Sequence, residues 1–456
     1  MIFASFPKVT VSDSQFHQPR PLFAFNTMRA EVDSGIRLRE KPASAETLWS
    51  RNFVLLLQGH LVSQLGDKIY QVVLAFWILS ATNSTAIMGS IMASAMLPAI
   101  FVSPFAGIVV DRMNKKWLIV AMDVVRGVCV LCVALAALLG GLEIWMIFVA
   151  AIVIGLCDVF FNPAVNALIP SIVPRTLLTK ANSFRGMTDT GTSVLGNMLA
   201  GFLYQWLGAP LLFLFNGFSY LVSAASETFL QLPEKIKPDG VRTSFMQDLK
   251  GGIRFVWHFV GLRCHILFFA LITFVSVGTL ILLVPLFHQS EGLGPARYGL
   301  VLGSLTAGMF SGFALTAMLH IKSSHRSRYF FTSIYGALAL MAVFPHLMFY
   351  AMIPLMFVVG IFTAHMHVIV NSVIQLVVPE GDRGKVLGLM GAVILSLTPV
   401  AMLLSGMLAE VIPVTVLISG GFILSAFLVM PFLLLRTYRL FLNTDSEYED
   451  PNAGGF

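Results

Sequence analysis

Apolar residues in this chain come in stretches of about twenty, separated by short polar breaks. The stretches run over 53–80, 87–110, 117–140, 144–168, 182–206, 210–230, 263–287, 298–319, 329–347, 351–377, 386–409 and 414–435. Coiled into helices, such stretches are long enough to cross a hydrocarbon core of about 30 Å. Pro, Gly, Asn and charged residues fill the breaks, as helix punctuation requires. The pattern predicts an all-α membrane protein with twelve transmembrane helices in two six-helix bundles, spanning 51–230 and 263–436. The long polar connection 231–262 joins them on the cytoplasmic side. Within it, Phe245 to Val260 has the pattern of an amphipathic helix, with Phe255, Val256 and Trp257 set for the membrane surface. Residues 1–50 and 437–456 read as cytoplasmic tails, the first disordered and without the apolar core of a signal peptide. Met1 and Met28 are both candidate starts.

The placement of Lys and Arg gives the orientation. Alternate breaks carry Arg112, Lys115 and Lys116; Arg175 and Lys180; Lys235, Lys237, Arg242, Lys250 and Arg254; Lys322, Arg326 and Arg328; Arg383 and Lys385. The intervening breaks hold only Arg297. Basic loops stay in the cytoplasm, so both termini are expected inside, in a multi-pass protein of a bacterial cell membrane. The fourth and tenth segments end on matching words. Val165, Asn166, Ile169, Val173 and Pro174 follow the same V-N-x-x-I-x-x-x-V-P spacing as Val370, Asn371, Ile374, Val378 and Pro379. The match falls on the fourth helix of each half, which points to duplication.

Composition narrows the function. Of 456 residues, 57% are hydrophobic and only 11% are charged, where a soluble domain carries roughly 25%. Too little polar surface remains for a soluble enzyme. The net charge of +6 lies in short loops, where it acts on topology rather than on nucleic acid. The four cysteines give no disulfide framework, and the C-x-x-C of Cys129 and Cys132 reads as two small buried hydrophobes. Neither a nucleotide-binding G-x-x-x-x-G-K-[ST] nor an H-E-x-x-H occurs, so the chain is not expected to use ATP and no cofactor is expected. His365 and His367 point to different helix faces, against a metal pair.

After the second segment come Gly107, Asp111, Arg112, Asn114, Lys115 and Lys116. This resembles the major facilitator superfamily signature G-x-x-x-D-R-x-G-R/K-R/K, with Asn114 at the second glycine, a residue that also visits the left-handed region. The resemblance implies two pseudo-symmetric bundles with substrate held between them near the midplane. It also implies a gating latch. Gly107 would let helices approach closely, Asp111 would meet the N-terminus of the eleventh helix near Gly388, and Arg112, Lys115 and Lys116 would pair with acids across the seam. Asn52, Phe53, Ser63 to Asp67, Leu97, Pro98, Asp123, Arg126, Phe161 to Ala164, Ile169, Pro170 and Lys180 to Asn182 resemble the drug:proton antiporter-3 branch, the macrolide-efflux and enterobactin-exporter group. On the fifth helix Gly191, Gly196 and Gly201 stand at that class's close-packing positions, with Asn197 in place of the kinking proline.

Polar groups at depth supply the candidate chemistry, because a charge in a spanning helix costs at least about 2.5 kcal/mol. His60, Ser63, Gln64, Asp67, Lys68 and Gln71 form a stripe on the first helix. Asp158, Asn162 and Asn166 do so on the fourth, and Thr363, His367, Asn371 and Gln375 on the tenth. Asp67 is the first candidate for proton coupling and Asp158 the second. His60, Gln64, Asn162, Asn166, Thr363, His367, Asn371 and Gln375 are expected to line a cavity. Asp123 and Arg126 read as an ion pair near the cytoplasmic gate, Arg185 and Asp189 as another, and Glu227 as reaching interfacial water. The leading reading is a monomeric, proton-coupled exporter of a hydrophobic or amphiphilic small molecule such as a drug, macrolide or siderophore. The alternatives are a lysophospholipid or lipid transporter of the same superfamily, and a transport-inactive sensor or scaffold.

Overall fold

The computed structural model describes residues 48–232, 245–319 and 321–444. The expected N-terminal tail lies outside these residues except for 48–50, as do Lys235, Lys237 and Arg242 of the connection. The described chain is helical throughout: α1 (Arg51–Thr82), α2 (Thr85–Ser94), α3 (Leu97–Arg112), α4 (Lys115–Leu138), α5 (Ile144–Ile172), α6 (Leu178–Thr228), α7 (Phe245–His258), α8 (Val260–Ile281), α9 (Leu283–Gln289), α10 (Gly294–Met318), α11 (Arg326–Val343), α12 (Phe349–Val377), α13 (Glu380–Leu408), α14 (Val414–Leu434) and α15 (Arg436–Leu442).

Among the described residues, ten helical runs are long and apolar enough to cross a membrane. One of them, α6, contains two of the expected segments. They divide at Gly208, whose φ of 72° is open to glycine and strained for other residues. α1 is too polar in its middle to be among the ten, yet its 32 residues are long enough to span. Counting both, the chain makes twelve passes. Glycines bring α1 and α6 together: a Cβ at Gly66 would come within 2.4 Å of Ser219 Oγ.

Local chemistry sets the helix ends. Ser50 Oγ accepts from Phe53 N at the start of α1, and Asn83 closes it in the left-handed region at φ 51°. Asn114 is not left-handed. At φ −72° its side chain accepts from Lys116 N and caps α4, so the residue standing at the motif's second glycine works as a helix N-cap. The two V-N-x-x-I-x-x-x-V-P words end their helices alike, with Val173 N bonded to Ile169 O at 3.1 Å and Val378 N to Ile374 O at 2.9 Å.

Residues 437–442, expected in the C-terminal tail, form most of α15 and fold back under the second bundle. Tyr438 is fully buried, with its hydroxyl 2.9 Å from His265 Nδ1. Asn443 Oδ1 accepts from Ser327 N at 2.8 Å, and Arg326 donates to Thr444 O.

Candidate functional site

The two halves meet closely at the end of the bundles opposite the basic loops. Two helix crossings there depend on absent side chains. Between α2 and α13, a Cβ at Gly406 would lie 2.6 Å from Thr85 O. Between α6 and α10, a Cβ at Gly201 would lie 1.9 Å from Pro295 O, and one at Gly299 2.6 Å from Asn197 O. Gly196 faces Lys68, but a Cβ at Gly191 would meet nothing within 4 Å, so that glycine is not a packing position.

Glu410, just past α13, clamps this closure. Its Oε1 accepts from Ser84 Oγ at 2.6 Å, Ala86 N at 2.9 Å and Thr85 Oγ1 at 3.2 Å, all at the N-terminus of α2. Thr85 Oγ1 also donates to Gly406 O. A carboxylate on a helix N-terminus is favoured by charge and by unsatisfied N–H groups together. The Ala86 N–H, with the Ser84 hydroxyl, holds the Glu410 carboxyl below its ordinary range. The clamp is therefore complete above that range and is lost as pH falls through the lowered value. Glu410→Ala should open this end at neutral pH and remove the acid sensitivity of its closure. Labelling of a cysteine at Ser90 with an impermeant thiol reagent, on a background lacking the native cysteines, measures it. Equal labelling of the variant and its parent at every pH would dismiss the clamp.

Within the first half, α1, α4, α5 and α6 bring acids around one arginine. Asp123 and Arg126 do pair. They lie about 12 and 16 Å inside α4, and both side chains are buried. Arg126 Nη1 also donates to Asp158 Oδ1 at 2.6 Å, while Asp158 stays half-exposed. Arg126 thus bridges a sealed carboxylate and an accessible one. The rings of Phe161 and Tyr220 lie 4.2 and 4.7 Å from its guanidinium carbon, adding cation–π attraction. The Tyr220 hydroxyl donates to Asp67 Oδ1. Asp67 therefore rests against α6 and not against its neighbour Lys68.

Other candidates are placed differently from expectation. Arg185 and Asp189 do not pair: Arg185 donates to Asn166 Oδ1, and Asp189 bonds His60 Nε2 at 2.6 Å. His60 is buried in that contact, while Asn162 is exposed and donates to Asp158 O. Gln64 is half-buried. Glu227 does not reach water: it is fully buried and neither carboxyl oxygen has a hydrogen-bond partner. At the latch, a Cβ at Gly107 would meet nothing within 4 Å among the described residues, so that glycine is not a close-packing position there. The side chain of Asp111 lies outside the described residues, and Arg112 is exposed. Lys115 Nζ donates to Ala167 O of its own half, and Lys116 lies over the Trp117 ring. The eleventh span begins at Glu380, two turns ahead of Gly388.

The second half lines a partly open cavity of about 430 Å³. Phe268, Phe330, Met341, Met356, Met366 and Phe422 are among the apolar residues of its wall. Its few polar contributors include Thr363 and His367 of α12 and His265 of α8. Asn371 and Gln375 continue the α12 stripe as exposed residues. Among the described residues, no group of three or more His, Cys, Asp or Glu is placed to hold a metal, and the cysteines are free.

A twelve-pass helical protein with acids and an arginine embedded in one half and an apolar cavity in the other is a membrane transporter. Residues 56–352 match the model of the Major Facilitator Superfamily, and the chain belongs to that family; it is not an enzyme. It is 20% identical to Macrolide efflux protein A of Streptococcus pyogenes over 396 residues, covering 84% of this chain and 96% of that protein. It is 25% identical to Multidrug efflux pump Tap of Mycolicibacterium fortuitum over 375 residues, covering 78% and 89%. In fold it is similar to a bacterial homologue of the human lysosomal transporter Spinster in an inward-facing, unoccupied conformation, with TM-score 0.64, 16% identity, and coverage of 88% of this chain and 98% of that one. A bacterial homologue of the iron transporter ferroportin, in an inward-facing state, has TM-score 0.61 at 18% identity, covering 84% and 98%.

Sequence reasoning missed Tyr220 and Glu410. An aromatic in an apolar run and a lone acid in a short loop carry no local signal. Each acquires its partner only across the fold, Tyr220 from α1 and Glu410 from the other half.

Proposed function

We propose that this chain, acting as a monomer, exports a hydrophobic or amphiphilic small molecule from a bacterial cell in exchange for protons. The supporting observation is the division between halves. An apolar cavity in the second half suits an uncharged or amphiphilic body, and embedded carboxyls in the first half suit a proton. With the basic loops and both termini in the cytoplasm, the closed end faces outward and the conformation is inward-facing. Asp158 and Asp67 are the carboxyls that alternate between charged and protonated forms as the cavity changes sides. The efflux names of the two relatives support the direction of transport. Lipid movement is the competing assignment, because the same cavity wall suits an acyl chain.

The test is proton flux in everted vesicles. Macrolides, other apolar drugs, siderophores and lysophospholipids are added singly to vesicles holding a preset pH gradient. At least one drug or siderophore should discharge the gradient, and should fail to do so in Asp67→Asn/Asp158→Asn vesicles. A response to lysophospholipids alone would reassign the substrate. Discharge that persists in the double variant would remove both carboxyls from the coupling.

A further inference from the structure

The cavity of the second half has one polar atom in its wall that the transport reading does not use. His265 lies five residues inside α8, about 8 Å from its basic end. Its ring is buried, packed against Phe268, Phe269 and Phe441 and stacked with Tyr438 of α15. It also lines the cavity. The Tyr438 hydroxyl, 2.9 Å from Nδ1, makes no other hydrogen bond among the described residues. Were Nδ1 the donor, the hydroxyl proton would be buried without an acceptor. The hydroxyl therefore donates and Nδ1 accepts. A neutral imidazole that accepts at Nδ1 carries its proton at Nε2. That Nε2–H is buried and has no partner.

The other polar side chains of the wall are served. Thr363 Oγ1 donates to Val359 O at 2.8 Å. Thr273 and Ser276 are half-buried and His367 is exposed, so water can reach them. Among the described residues, His265 Nε2 is thus the one polar side-chain atom of the wall that is both buried and unpartnered. Buried donors are nearly always satisfied, so this one calls for an acceptor on whatever fills the cavity. Charge narrows the occupant. The wall includes no Asp, Glu, Lys or Arg, so it offers no counter-charge to a cation or an anion. What fits is an uncharged, mainly apolar body with one well-placed polar group. A carbonyl oxygen is the neutral acceptor best matched to an N–H.

We propose that the cavity binds an uncharged apolar molecule by its carbonyl oxygen, which accepts from His265 Nε2–H. Tyr438 is the positioning residue: it fixes which nitrogen of the ring carries the proton. The helix α15, folded back under the second bundle, thereby reaches the binding site. This names a substrate class for the exporter proposed above and rests on that reading for transport, though not for binding.

Equilibrium binding to the purified full chain tests this with a matched pair. Benzophenone and diphenylmethane share two phenyl rings and differ by a carbonyl oxygen. The wild type should prefer benzophenone by about 10-fold, the scale of one net hydrogen bond. Irradiated benzophenone should attach to the cavity wall at Met341, Met356 or Met366, located by peptide mapping. His265→Phe keeps the ring packing and should lose the ketone preference while still binding diphenylmethane, which also shows that the variant folds. Tyr438→Phe leaves the imidazole but frees its proton to either nitrogen, and should lose part of the preference. Equal affinities in the wild type, or no binding of either compound, would overturn the proposal and leave the exporter standing. A ketone preference unchanged in His265→Phe, or attachment outside the cavity, would overturn it as well. A ketone preference lost in His265→Phe, beside vesicles that no compound discharges, would keep the site and strike the exporter alone.

Discussion

Arg126→Met is expected to destabilise the first bundle by about 3–5 kcal/mol, the cost of removing one partner from a buried ion pair. The arginine serves two acids at once, and the one behind it, Asp123, is fully sealed. Methionine fills similar volume and keeps contact with Phe161 and Tyr220, so lost packing contributes little. What is lost is the charge that lets Asp123 remain ionised in a membrane interior. Asp123→Asn/Arg126→Met removes both members of the sealed pair and should recover part of the loss, making the two substitutions non-additive. Thermal unfolding of the single and double variants in detergent measures this. If Arg126→Met unfolds at the wild-type temperature, the cluster is not a stability element.

Much of the architecture was legible because a membrane forces it into the sequence. A span must be about twenty apolar residues long, and loops must sort their Lys and Arg by side. All twelve spans therefore have recognisable centres in the apolar pattern, the first among them despite the polar stripe that lowers its hydropathy. Helix ends were less legible, because cap and kink residues decide them. The eleventh span starts early, after Pro379, and the fifth and sixth run together through Gly208.

The candidate chemistry was legible one helix at a time and no further. Spacing of three or four residues showed that Asp123 could meet Arg126. It could not show that Asp158, 32 residues on, takes the other guanidinium nitrogen. By the same spacing Arg185 and Asp189 should pair, yet each finds a better partner on another helix, in Asn166 and His60. Glu227 failed for a related reason. Nearness to a helix end suggested water, but the packing around α6 leaves the side chain fully buried. Partner choice across helices depends on packing angles that one helix's periodicity does not encode.

Asp67→Asn should abolish proton-driven export while leaving substrate binding nearly unchanged. Asp67 sits about 24 Å along α1 from its basic end, close to the helix's middle. Its one described side-chain hydrogen bond comes from the Tyr220 hydroxyl. Asparagine keeps an oxygen that can accept that bond, so the contact between α1 and α6 survives, and only the capacity to carry a proton is removed. The apolar cavity lies in the other half and should bind as before. Export against a gradient should fall by about 100-fold or more, the scale of losing a proton-transfer group. Exchange of substrate for substrate needs no net proton movement and should continue. Asp158→Asn should behave differently. It removes the charge that strengthens the bond from Arg126 on the accessible side, so its larger effect should fall on binding. Tyr220→Phe separates the roles further: it removes the hydrogen bond but keeps the carboxyl, and should retain coupled export at a shifted pH dependence. Binding, exchange and proton release measured side by side in the three variants decide the matter. Full proton-coupled export by Asp67→Asn would exclude this carboxyl from the mechanism and leave Asp158 as the only accessible acid of the cluster able to serve.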